Sequence, residues 1–149
     1  SATATAVVAA PRPVVFPRLL AHDPAKFYPR SGVLPAVVEV RDQSGPWDAV
    51  GQTRTLVLSD GGTVKETLGD VTAPLFAYDL SRFTGFFGRL VEGGRSEWRV
   101  VDRPEGSGIE WTYTFTAKPG WGFAVAAIMR LAWAPYMRRV LPAIAASTA

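Results

Sequence analysis

Two charged residues in this sequence sit on segments that are otherwise apolar. Arg54 shares a strand face with Leu56 and Leu58, and Glu66 shares one with Val64 and Leu68. Asp60-Gly61-Gly62 between them has turn chemistry, so the two segments read as a β-hairpin. That loop places Leu56 opposite Glu66 and makes Arg54 its diagonal neighbour. Facing a cavity, such a pair anchors a ligand carbonyl or phenol, or takes part in proton transfer. Turned outward or packed shut, it only orders the hairpin. Tyr113 is the third candidate for acid–base work. It stands between Trp111 and Phe115 on one face of the clearest alternating segment, Ile109 to Thr116, whose other face carries Glu110, Thr112, Thr114 and Thr116.

The candidate ligand-contacting residues are aromatic or soft. Five tryptophans, four tyrosines and eight phenylalanines are many for 149 residues, and a hollow lined by rings needs such a supply. Tyr78 shares a face with Phe76 and Leu80, and Trp98 alternates with Ser96 and Val100. Trp111, Trp133 and Met137 join them as candidate wall residues. Each is equally at home in a packed core, where burying a large side chain contributes roughly 1.5–3 kcal/mol with or without a ligand. Phe83, Phe86 and Phe87 surround a glycine-flanked loop, where exposure is the rule, and read as a lid over a cavity mouth or a contact for a partner. Trp47, at a turn, is a weaker candidate for the same role.

Other chemistries find little support. His22 in Ala21-His22-Asp23-Pro24 is the only histidine and reads as a neighbour of a helix cap. With no cysteine and one histidine there is no basis for a zinc site, a disulfide or thiol chemistry, and no metal or cofactor is expected. No Gly-x-Ser-x-Gly elbow and no phosphate-binding glycine loop occurs. A net charge of +3 without a basic run gives nucleic-acid binding no compositional basis. The apolar run Trp121 to Met137 contains Arg130 and Pro135 and falls short of the roughly 20 residues of a spanning helix. Stable membrane insertion is therefore not expected. Ser1-Ala-Thr-Ala-Thr lacks the features of a secretory signal. The expectation is a cytoplasmic protein, monomer or homodimer, whose partner is a small molecule.

The elements that must position these residues are mostly strands. Composition, 48% hydrophobic and 19% charged, is that of one globular domain over residues 1–149. Ala6 to Ala10 reads as a first strand. Pro11, Pro13 and Pro17 exclude a long regular helix after it and allow a short turn from Arg18. Asp23-Pro24 caps a brief helix through Phe27. Strands follow over Val33 to Asp42, Gly51 to Ser59, Thr63 to Val71, Phe76 to Phe83, a segment ending at Val101 with a bulge at Gly93-Gly94, and Ile109 to Thr116. Gly120 to Ala146 then reads as one long helix. Its apolar stripe runs from Phe123 through Ala127, Trp133, Met137, Val140 and Ile144, with Ile128, Leu131 and Leu141 beside it. Pro135 predicts a kink or a break, and Pro142 another near the end.

This order resembles the START-like (SRPBCC) superfamily, the helix-grip fold of polyketide cyclase/dehydrase and lipid-transport proteins. The resemblance rests on Val8-Ala9-Ala10-Pro11 and on Gly51 to Gly62. It continues through Val64-Lys65-Glu66-Thr67-Leu68, Tyr78, Glu97-Trp98-Arg99-Val100 and Gly108 to Phe115. It implies an α+β fold: a curved antiparallel sheet of six or seven strands around a long C-terminal helix, with two short helices after the first strand. It also implies a deep pocket for a polyketide, aromatic, terpenoid or lipid-like molecule. Members include aromatase/cyclases, carriers and non-catalytic binding proteins. The expected function is hydrophobic-ligand binding, with cyclisation or dehydration as the enzymatic form and a carrier or sensor as the alternative. A membrane-surface protein using the C-terminal helix is a further reading.

Overall fold

The computed structural model describes residues 1–149. Seven antiparallel strands form one sheet in the order β1-β7-β6-β5-β4-β3-β2. After β1 (Ala2–Val8), helices α1 (Arg12–Leu20) and α2 (Pro24–Phe27) carry the chain to the far edge of the sheet. There β2 (Val37–Arg41) starts a meander through β3 (Thr53–Leu58), β4 (Thr63–Thr72), β5 (Leu75–Ser81), β6 (Val91–Arg103) and β7 (Gly106–Ala117), which ends beside β1. Helix α3 (Gly122–Ile128), a π-helical turn (Met129–Trp133) and α4 (Ala134–Ala146) close the chain. This is the helix-grip arrangement.

Several boundaries differ from expectation for identifiable reasons. Strand β1 begins at Ala2, four residues early, and pairs with β7 from Ala2↔Tyr113 to Val8↔Ser107. Its alternation of buried Ala4 and Val8 with outward Thr3 and Thr5 has too little hydropathy contrast to stand out. Helix α1 overturns the expectation of only a short turn from Arg18. Pro13 falls in the first turn, where its missing N–H has no intrahelical acceptor anyway. Pro17 forfeits one interior hydrogen bond, and burial of Val15, Leu19 and Leu20 offsets the loss. Asp23 caps α2 as expected, its Oδ1 accepting from the Ala25 N–H at 3.0 Å.

The β3–β4 register also needs correction. Arg54 lies directly opposite Glu66, and Leu56 opposite Val64. The turn lies one residue earlier than expected, on Ser59-Asp60-Gly61, with the Leu58 N–H donating to the Gly62 carbonyl, which moves each cross-strand partner by two. Asp60 Oδ1 accepts from the Gly62 N–H at 2.8 Å, and Gly61 takes the positive φ of 86° between them. A two-residue slip leaves every side chain on its original face, so the inward direction of Arg54 and Glu66 survives.

The C-terminal helix is wound in three pieces rather than kinked. Pro135 has no N–H for the Leu131 carbonyl, and the helix widens into the π turn just ahead of it. Pro142 lies within α4 without ending it. The expected stripe is right for Met137, Val140, Leu141 and Ile144, which are buried, and wrong at two positions: Phe123 is 90% exposed and Leu131 70%.

Candidate functional site

The inward residues of the sheet fall into three cross-strand rows that explain where space remains. The first row is Trp111, Trp98 and Phe76 on β7, β6 and β5. These rings stack nearly parallel, with centroids 4.5 Å apart for Trp98–Trp111 and 5.9 Å for Phe76–Trp98. The second row is Tyr113, Ser96, Tyr78 and Leu68, and the third is Phe115, Gly94, Leu80, Glu66 and Arg54. Along β6 the inward side chain thus shrinks from indole to hydroxymethyl to hydrogen. A Cβ added at Gly94 would meet Phe115 and Leu80 side-chain atoms, which confirms that this glycine faces inward.

Above the second and third rows lies a cavity of about 670 Å³ of atom-free space, its mouth included. Fourteen of its 17 lining residues are hydrophobic, and Glu66 is the one charged group among them. Of the residues singled out in the sequence, Glu66, Tyr78, Phe83, Phe87, Tyr113 and Trp133 are on the wall. Trp98, Trp111 and Met137 are not: all three are fully buried in the packed region. Phe86 is also off the wall and is 51% exposed, just ahead of the three-residue 3-10 turn that begins at Phe87. Trp47 forms no lid. It is buried, at a positive φ of 61°, with its ring 4.0 Å from the Arg54 guanidinium carbon.

Tyr28 and Tyr136 are wall residues that the sequence reading missed. Their rings stack at 6.4 Å, and the Tyr136 hydroxyl donates to the Pro29 carbonyl at 2.7 Å. Tyr28 stands just past α2 with no periodic context. Tyr136 lies beside Met137 on α4, and its helical spacing was available as a signal.

Glu66 and Arg54 form a buried pair, Arg54 Nε donating to Glu66 Oε1 at 2.7 Å. Arg54 is the only hydrogen-bond partner of this carboxyl group in the protein. Burial pushes the Glu66 pKa up, and the Arg54 charge and hydrogen bond oppose that shift. Arg54 stands behind Glu66, off the cavity wall, and fixes the carboxylate from one side. The Tyr113 hydroxyl has no hydrogen-bond partner in the protein, and burial raises its pKa well above the ordinary phenol value. It stays protonated at neutral pH and is a donor. Tyr78 is raised as well by burial, but its hydroxyl already accepts from the Trp98 indole N–H at 3.4 Å. Burial pushes Tyr136 up to about 12. The wall therefore offers one carboxylate acceptor and one unengaged phenol donor in apolar surroundings, and Trp133, also on the wall, has a buried indole N–H with no partner in the protein.

His22 lies outside this site. It is buried with its ring 5.3 Å from Trp98, its Nδ1 on the Leu19 carbonyl, and burial lowers its pKa to about 4. It is a neutral core group, not a proton shuttle at pH 7.

No helix is long and apolar enough to cross a membrane. No curated protein sequence matches this chain. Solved structures of the same fold do. Norcoclaurine synthase from Thalictrum flavum, in complex with dopamine and hydroxybenzaldehyde, is 17% identical with a TM-score of 0.69, covering 96% of this chain and 82% of that one. Ara h 8.0201 is 16% identical with a TM-score of 0.62, covering 95% of each chain. A protein from Nitrosospira multiformis is 17% identical with a TM-score of 0.64, covering 97% of this chain and 92% of that one. These likenesses establish the fold. The sequence itself matches the profile described as polyketide cyclase/dehydrase and lipid transport over residues 1–148, and the chain belongs to that family.

Proposed function

We propose that this chain binds an aromatic or similarly rigid apolar molecule bearing a hydroxyl or carbonyl oxygen. Its body would lie against Tyr78, Leu80, Phe115 and Trp133, and its oxygen would meet Glu66 and Tyr113. The observation that carries this reading is the composition of the wall: an apolar lining with one carboxylate, held from one side only, and one phenol without a protein partner. Buried polar groups are ordinarily satisfied, and a ligand oxygen is the partner that suits both. The fold neighbour bound to dopamine and hydroxybenzaldehyde holds oxygen-bearing aromatic molecules, in keeping with this reading.

A catalytic form follows from the same groups. Glu66, with its raised pKa, would take or return a proton as a ligand enolises, cyclises or loses water, and Tyr113 would hold the carbonyl oxygen. Arg54 would act as a positioning residue through Glu66. Carriage or sensing of the same ligand is the non-catalytic form. A cytoplasmic, biosynthetic setting and a single domain over residues 1–149 belong to this proposal.

Native mass spectrometry with added 2-naphthol tests the binding itself. The expected result is a one-to-one adduct, or a co-purified apolar molecule that 2-naphthol displaces and denaturation releases. A protein that carries no adduct and takes up no 2-naphthol contradicts the proposal.

A further inference from the structure

Every large aromatic side chain that this fold exposes lies on two neighbouring segments. Phe123 is 90% exposed, Phe86 51% and Trp121 47%, and Leu131 joins them at 70%. Phe123, Ala127 and Leu131 recur every four residues along α3 and the π turn, which makes a stripe on one side of the helix. Trp121 immediately precedes that helix, between two glycines. Phe86 belongs to the loop that the other segment grips: the Lys118 N–H donates to the Leu90 carbonyl, and Lys118 Nζ donates to the Gly88 carbonyl. Exposed large apolar side chains gathered on two adjoining segments mark a candidate interaction surface.

Charge decides what that surface meets. Residues 82–92 and 118–133 carry Arg82, Arg89, Lys118 and Arg130 against one acid, Glu92. All four cations are exposed, and none is in an ion pair. A two-fold interface on this face would bring like charges together. Aromatic rings set among unpaired cations instead suit the headgroup region of an anionic bilayer, where rings enter the interface and cations meet phosphates. We propose that this face docks the protein onto anionic lipid membranes without insertion. The same two segments supply Phe83, Phe87 and Trp133 to the cavity wall, so docking brings the wall close to a reservoir of apolar ligand.

The proposal goes beyond the cavity reading, and its test is independent of it. Trp121 is the only exposed tryptophan, so the acrylamide-quenchable fluorescence of the protein reports on this face. The expected results are co-flotation with phosphatidylcholine/phosphatidylglycerol vesicles at low salt, loss of quenching on binding, and release at high salt. Binding to pure phosphatidylcholine vesicles should be weaker. Phe123→Ser with Leu131→Ser should weaken flotation about tenfold or more while leaving 2-naphthol uptake unchanged. Arg89→Gln with Arg130→Gln should remove the preference for anionic vesicles. No flotation at low salt, or flotation that survives the paired serine substitution, overturns the proposal. Conversion of a sedimenting dimer to a monomer by that pair, without vesicle binding, also overturns it and gives the face to a second copy of the chain.

Discussion

One face of β7 meets two environments within seven residues. At Ile109 and Trp111 it is packed solid, whereas at Tyr113 and Phe115 it looks into a cavity. The residue types hardly change; what changes is their neighbours. Opposite Trp111 stand Trp98 and then Phe76, roofed by Phe16 and His22 from the α1 side. Opposite Tyr113 and Phe115 stand Ser96 and Gly94. An aromatic strand face is core or binding site according to whether the adjoining strand fills the next position. Here the cavity lies on the side where the inward β6 side chain has shrunk to Ser96 and Gly94, although neither is itself on the wall.

The largest effects should separate the two regions. Trp111→Ala should cost about 3–5 kcal/mol of stability, because a fully buried ring leaves a void among close-packed neighbours. Denaturant titration measures it, and a loss below about 1 kcal/mol would contradict the packed reading. Trp133→Ala, by contrast, borders space already present and should cost under about 2 kcal/mol. Equal losses would erase the distinction between the two regions.

Arg54→Met should cost about 3 kcal/mol, since it leaves the Glu66 carboxyl buried without its partner. Arg54→Met combined with Glu66→Leu should restore stability to within about 1 kcal/mol of the parent, because a buried pair is replaced by apolar packing. A double variant as unstable as the single one would mean that the pair itself holds the sheet together.

The packed region should also carry a pH signature that the cavity region opposes. The His22 pKa falls from 6.5 to about 4 on folding, so its contribution is complete above pH 6.5 and is lost as pH drops towards 4. Each tenfold weakening of proton binding is worth about 1.4 kcal/mol, so the loss approaches about 3 kcal/mol. Glu66 has the opposite sign. Its folded pKa is raised, so its contribution is present below pH 4.5 and declines as pH rises through the folded value. Urea unfolding of the parent and of His22→Phe from pH 7 to 4 isolates the histidine. The variant should lose markedly less stability on acidification, and identical slopes would show that His22 is not held neutral.

The fold was legible because its signals were long and periodic. Ile109 to Thr116 alternates over a full strand, and the direction of Arg54 and Glu66 survived a two-residue error in register because facing repeats every two residues. The site was half legible for the same reason. Period and residue type placed Tyr113, Tyr78, Trp98 and Trp111 on one face, but a strand face does not say which of its rings meets space. That depends on cross-strand neighbours such as Ser96 and Gly94, whose smallness carries no hydropathy signal. Phe123 and Leu131 were misplaced because the π turn rotates the helix in a way that regular spacing does not encode.

The most direct test of the cavity account compares two probes that differ only at oxygen. Calorimetric titration with 2-naphthol and with 2-methoxynaphthalene, which keeps the ring and lacks the O–H donor, reads the role of Glu66. The parent should prefer 2-naphthol by about tenfold, the equivalent of one net hydrogen bond to a charged acceptor. The Arg54→Met, Glu66→Leu variant should bind both probes alike, at the affinity the parent shows for 2-methoxynaphthalene. Equal binding of the two probes by the parent, or a preference that persists in the double variant, would contradict a cavity whose polar end is Glu66.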